Sequence, residues 1–153
     1  MAHRVLILIG SETDRPTFEK ALPTYDFFGL EVDLKVSSAH RNPAKTTQLA
    51  SNARDEGYCT IVCGAGMAAH LAGVVAAHST LPVIGVPLDA SPMGGMDSLL
   101  ATAQMPAGIP VATLALGKAG AINSAVLTAR ILSLQDPMMI ERLQIFMAQG
   151  ARV

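Results

Sequence analysis

Apolar residues fall into five short runs, each followed by a polar or glycine-bearing turn and then a longer segment of helical pattern. The runs are residues 4–9, 30–36, 59–63, 81–86 and 111–116. The first is apolar almost throughout, which predicts a strand covered on both faces, as in a parallel sheet. Helices are predicted over residues 16–28, 43–56, 67–77, about 97–104 and 118–134, with a last one over 137–149. The punctuation agrees with these limits. Pro16 and Pro43 stand in first turns, Asn42 is suited to an N-cap, and Gly29 and Gly57 stand where helices should end. Five strand–helix alternations predict an α/β fold, with a five-stranded parallel sheet, right-handed crossovers and helices on both faces. A flavodoxin-like three-layer order is the leading topology. One domain is expected over residues 1–153, its core at about 4–134. The helix at 137–149, with Met138, Met139, Leu143, Phe146 and Met147, is left over for docking on a neighbouring subunit.

Composition narrows the function classes. Hydrophobic residues make up 50% of the chain and charged residues 15%, which favours surface buried between subunits. A net charge of −1 offers no footprint for nucleic acid or for an anionic membrane surface. No apolar run is long enough to span a bilayer. Residues 1–4 lead straight into the first strand, so no leader is expected. Cys59 and Cys63, four apart in a strand, should point to one face, too far apart for a disulfide. No zinc-ligand spacing occurs, and a reducing cytoplasm is the expected compartment.

The second strand runs into Ser37-Ser38-Ala39-His40-Arg41-Asn42-Pro43. Helix capping accounts for Asn42 and Pro43 and leaves Ser38, His40 and Arg41 unexplained. Hydroxyls and a fork-shaped cation suit a phosphate, and imidazole is the side chain that titrates nearest neutral pH. Turns after strands one, three and four should share the sheet edge with this stretch. Ser11 heads the first helix, where backbone N–H groups favour anions. Asp14 could accept sugar hydroxyls or could cap the helix. Gly64-Ala65-Gly66 would let backbone approach a ligand or would merely make a tight turn. His70 alone in a helix reads as structural; His3 and His78 are given no role. No Walker loop, no dinucleotide fingerprint and no Gly-x-Ser-x-Gly elbow occurs.

Taken in order, five motifs resemble the PurE family: Gly10-Ser11-x-x-Asp14-x-Pro16-Thr17, Ser38-Ala39-His40-Arg41-x-Pro43, Gly64-Ala65-Gly66-x-Ala68-Ala69-His70-Leu71, Leu81-Pro82-Val83-x-Gly85-Val86-Pro87, and the stretch from Gly95 through Gln104-Met105-Pro106 to Thr113. The resemblance runs from Val5 to about Leu134. It implies a cofactor-free N5-carboxyaminoimidazole ribonucleotide mutase of purine biosynthesis, with no metal, acting on a small-molecule ribonucleotide. It also implies a homo-octamer with sites between subunits. By resemblance Ser11, Asp14 and Arg41 bind the nucleotide and Ser38 lies by its phosphate. His40 is the general acid/base. Gly64, Ala65, Gly66, Ala68 and His70 wall the aminoimidazole pocket.

The chain departs from the common pattern at Met67 (glycine), Ala72 (proline), Asn42 (threonine) and residues 88–93. His40-Arg41-Asn42-Pro43 and the run from Gly66 to Leu71 are nearer the mutase type than the type that takes aminoimidazole ribonucleotide and CO2 directly. The rivals are that direct carboxylase, a non-catalytic nucleotide-binding module, which would not need His40, and a flavin or acyl-phosphate domain. The last would need a coloured cofactor or an acidic cluster after strand one.

Overall fold

A computed structural model describes residues 3–153. The leaderless reading of residues 1–2 therefore lies outside the described residues. Five strands, β1 (His3–Ile9), β2 (Leu30–Val36), β3 (Tyr58–Gly66), β4 (Val83–Leu88) and β5 (Ala112–Thr113), form one all-parallel sheet in the order β2-β1-β3-β4-β5. This is the expected flavodoxin-like order. Helices α1 (Arg15–Glu19), α2 (Leu22–Phe27), α6 (Gly117–Leu132) and α7 (Pro137–Ala148) cover one face, and α3 (Pro43–Asn52), α4 (Leu71–His78) and α5 (Met96–Ala103) the other. Side chains alternate along β1 accordingly. Val5, Ile7 and Ile9 enter the core under α1, α2 and α6, while Leu6 and Leu8 enter the core under α3 and α4.

Four departures from the sequence pattern have local causes. The single helix expected over 16–28 is two, because Pro23 has no N–H to give to Glu19 and the chain re-enters helix at Leu22. Strand β3 runs on through Gly64-Ala65-Gly66, which were expected to form a turn. Met67 then adopts φ +54°, and the helix expected from residue 67 starts only at Leu71. A register shift opposite Arg4 and Val5 inserts Cys59 as an extra residue, since Arg4 pairs with Tyr58 and Val5 with Thr60. A one-residue insertion turns side chains to the other face. Cys59 thus packs on the α6 side and Cys63 on the α4 side, contrary to the one-face expectation, and both are free thiols.

The last helix docks on its own chain. Met139 and Phe146 are buried, Phe146 stacks at 5.8 and 5.2 Å from the rings of Phe27 and Phe28, and the Arg142 guanidinium donates to the Phe28 carbonyl beside Gly29. Met138, Ile145 and Met147 point outward. Among the described residues no helix is long and apolar enough to cross a membrane.

Candidate active site

The carboxyl ends of β1, β2, β3 and β4 border a cavity of about 350 Å³. Each wall is set by its own turn. After β1, Ser11 caps a 3-10 turn (Glu12–Asp14): its Oγ accepts from the Thr13 N–H, and the Asp14 carboxylate accepts from the Ser11 N–H at 3.1 Å. This capping box fixes the turn and leaves Ser11, Thr13 and Asp14 on the cavity wall. Ser11, not Asp14, is the cap of that turn. Partial burial pushes the Asp14 carboxyl up, with the Ser11 N–H opposing.

After β2 the two serines part company. Ser37 is buried, takes its N–H to the Ile9 carbonyl and shares a hydrogen bond of 2.8 Å with Thr46 on α3. Ser38 faces the cavity and its Oγ accepts the Arg41 N–H at 3.2 Å. Asn42 caps α3 through the Lys45 N–H, with Pro43 in its first turn, as expected. His40 and Arg41 are exposed on the wall, and Arg41 takes no part in the ion pairs found among the described residues.

The third wall is the end of β3 and the turn that follows it. Ala65, Gly66, Met67 and Ala68 line the cavity. Gly64 does not: it lies beneath the buried ring of Phe18, where a Cβ would overlap Cε2 and Cζ. Its carbonyl accepts the Gly10 N–H at 3.0 Å, tying the β1 turn to β3. Gly66 has its own close neighbour, Ala90 after β4, whose Cβ would stand 2.9 Å from an added Cβ. Both glycines serve close approach of protein to protein rather than a tight turn.

His70, immediately before α4, comes to His40 across the mouth of the site. His40 Nε2 and His70 Nδ1 are 2.8 Å apart, and the rings are edge-to-face at 4.9 Å. His70 is not buried structural histidine; it is exposed, and its other side borders a groove between α4 and α5. The structure thus brings Ser11, Asp14, Ser38, His40, Arg41, Ala65, Gly66 and Ala68 to one cavity, joins His70 to His40, and leaves Gly64 behind Phe18. Thr13, Leu71 and Ala90 also line it and were not singled out from sequence. Position in the Ser11–Asp14 turn was the available signal for Thr13, and position after the fourth strand was the signal for Ala90. Among the described residues no His, Cys, Asp or Glu trio is arranged to hold a metal ion.

Fold and site together define a flavodoxin-like α/β protein with a histidine-bearing, anion-suited pocket at the carboxyl edge of its sheet. The chain belongs to the AIR carboxylase family, whose model matches residues 4–152. Similar proteins named N5-carboxyaminoimidazole ribonucleotide mutase come from several bacteria. That of Pseudomonas aeruginosa is 47% identical over 148 residues, covering 97% of this chain and 91% of the relative. That of Brucella melitensis is 46% identical over 143 residues, covering 94% and 88%. That of Escherichia coli K12 is 45% identical over 140 residues, covering 92% and 83%. Among solved structures, Treponema denticola PurE superposes with a TM-score of 0.83 at 25% identity, covering 97% of this chain and 91% of that one.

Proposed function

We propose that this protein is an N5-carboxyaminoimidazole ribonucleotide mutase. It moves a carboxylate from the exocyclic nitrogen of the substrate to ring carbon C4, giving 4-carboxy-5-aminoimidazole ribonucleotide. The observation that carries the proposal is the convergence of His40 with Ser11, Asp14, Ser38 and Arg41 on one cavity, in a chain 45–47% identical to mutases along nearly its whole length.

Arg41, Ser38 and Ser11 hold the 5′-phosphate, and Asp14 takes ribose hydroxyls. Arg41 suits the phosphate because its planar fork matches two phosphate oxygens and, among the described residues, no carboxylate is paired with it. The base of the substrate lies against Ala65, Gly66 and Ala68, whose small side chains allow close approach. His40 gives a proton to the carbamate nitrogen. The N–CO2 bond then breaks, its electron pair staying on nitrogen. C4 attacks the retained CO2, and His40 takes the proton that C4 sheds as the ring regains aromaticity. No net proton is consumed, so one imidazole serves both steps. Holding CO2 beside C4 in a small site replaces a second-order encounter by proximity.

Assembly belongs to the same reading. Met67 on the cavity wall, Met93 in the loop after β4, Met96 and Leu100 on α5, and Met138, Ile145 and Met147 on α7 are exposed in the single chain. This supports a homo-oligomer, and the family resemblance supplies the number eight. A cytoplasmic setting agrees with two free thiols and with the metabolic role.

The deciding experiment gives the purified protein N5-carboxyaminoimidazole ribonucleotide and, separately, aminoimidazole ribonucleotide with bicarbonate varied. Faster turnover of the carboxylated substrate is expected. An equal or higher rate on aminoimidazole ribonucleotide at modest bicarbonate makes the protein a direct carboxylase. Binding of both without turnover makes it a non-catalytic module.

A further inference from the structure

We propose that His70 is a positioning residue that accepts the Nε2–H of His40 throughout the reaction and so makes Nδ1 of His40 the nitrogen that exchanges protons with the substrate. The inference rests on the proposed mutase reaction and assigns a function to the His40–His70 contact that substrate binding by His70 does not explain.

The contact joins Nε2 of His40 to Nδ1 of His70 at 2.8 Å. At that distance a proton lies between the nitrogens, and one ring donates while the other accepts. Two arrangements are possible when His40 is neutral. If His70 donates, His40 carries its own proton on Nδ1 and both of its nitrogens are occupied. It then has no lone pair to receive the C4 proton. If His40 donates, Nδ1 carries a lone pair, and the imidazole is ready as a base. The charged state favours the same direction. An imidazolium has two N–H groups and can only donate, so His70 must accept. Only with His70 as acceptor does one hydrogen bond fit both states through which His40 cycles.

The proton count closes. At the start His40 holds Nε2–H towards His70 and Nδ1–H towards the substrate. The Nδ1 proton goes to the carbamate nitrogen, the N–C bond breaks, and C4 captures CO2. The C4 proton returns to Nδ1. His70 keeps the tautomer with its proton on Nε2 and gains or loses nothing. The turn after β3 supplies this geometry. Met67 at φ +54° ends the strand, and backbone bonds from Ala69 to Met67 and from His70 to Ala68 coil the chain so that His70 precedes α4. A helix starting at residue 67 would hold His70 within its first turn instead.

The test compares wild type, His70→Leu and His70→Asn in turnover of N5-carboxyaminoimidazole ribonucleotide, with a parallel measurement of the His40 ring by long-range ¹⁵N–¹H NMR above its titration. Asn places a carbonyl oxygen where the histidine has Nδ1. We expect His70→Leu to lower kcat about 10–100-fold, the scale for loss of a group that orients an imidazole, with KM changed less than about threefold. His70→Asn should regain most of kcat, and adding His70→Leu to a His40→Asn background should cost little more. In wild type the neutral His40 ring should be the Nε2–H tautomer, becoming mixed in His70→Leu. Unchanged kcat with raised KM in His70→Leu, no rescue by Asn, or an Nδ1–H tautomer in wild type overturns the proposal. If the wild type does not convert the substrate, the mutase reading fails, and the NMR result alone then decides the direction of the hydrogen bond.

Discussion

Gly64→Ala tests how the site is braced. Gly64 sits on β3 directly under the Phe18 ring of α1, and Phe18 is fully buried. A methyl group there would overlap two ring carbons, so the ring must retreat by roughly a bond length or the strand must shift. Overpacking of this kind costs about 1–3 kcal/mol. Alanine restricts the unfolded chain more than glycine and returns about 0.4–1 kcal/mol. The net loss is about 0–2.6 kcal/mol, or a Tm lower by up to about 10 °C for a domain of this size. The displacement also reaches function, because α1 begins where the Ser11–Asp14 turn ends. KM should therefore rise in Gly64→Ala although Gly64 does not line the cavity. Phe18→Leu alone leaves a small cavity and costs about 1–2 kcal/mol. In the double variant the two changes should offset each other, with a coupling of about 0.5–2 kcal/mol. Thermal unfolding followed by circular dichroism, with KM measured on the same samples, checks this. A Tm for Gly64→Ala above wild type, or strict additivity in the double variant, refutes the packing argument.

His40→Asn should lower kcat by about 10²–10⁴-fold while nucleotide binding, measured by calorimetry, changes far less. Arg41→Ala should weaken the nucleotide roughly 10–150-fold and Arg41→Lys should restore only part of it; equal wild-type affinity for ribonucleotide and unphosphorylated riboside would contradict the phosphate assignment. Asp14 is raised by burial, so the folded state holds its proton more tightly than the unfolded chain does. This favours the fold at acid pH, and the benefit disappears as pH rises through the folded-state titration. Asp14→Asn, which can still accept the Ser11 N–H, should therefore match or exceed wild type in Tm at pH 7, with the gain shrinking below the carboxylate range, while substrate affinity falls. Removing residues 137–153 would strip Met139 and Phe146 from the core, so assembly is better tested by Ile145→Glu with Met147→Glu, which should lower the sedimentation coefficient without unfolding the chain.

The alternation of apolar runs with helical segments was enough, by itself, to give five parallel strands, with the flavodoxin-like order as the leading topology. Strand and crossover rules depend on local periodicity and chain handedness, and both are properties of sequence. The Ser38–Pro43 stretch likewise announced its chemistry, because a capped helix start accounts for Asn42 and Pro43 but not for an adjacent imidazole and guanidinium. What the sequence left open depended on neighbours distant in the chain. Ser37 and Ser38 are indistinguishable in a string of residues; only Thr46 and Ile9 make one of them structural. Gly64 and Gly66 could not be told apart in sequence: Gly66 lines the cavity with Ala90 close beside it, whereas Gly64 makes room for the Phe18 ring. Cys59 and Cys63 were placed on one face by strict alternation, and the inserted residue opposite β1 separated them. His70 read as an ordinary helical histidine because its partner lies 30 residues away. Periodicity specifies which side of an element is buried, whereas what touches it across the fold is set by packing, and there tertiary structure alone decided.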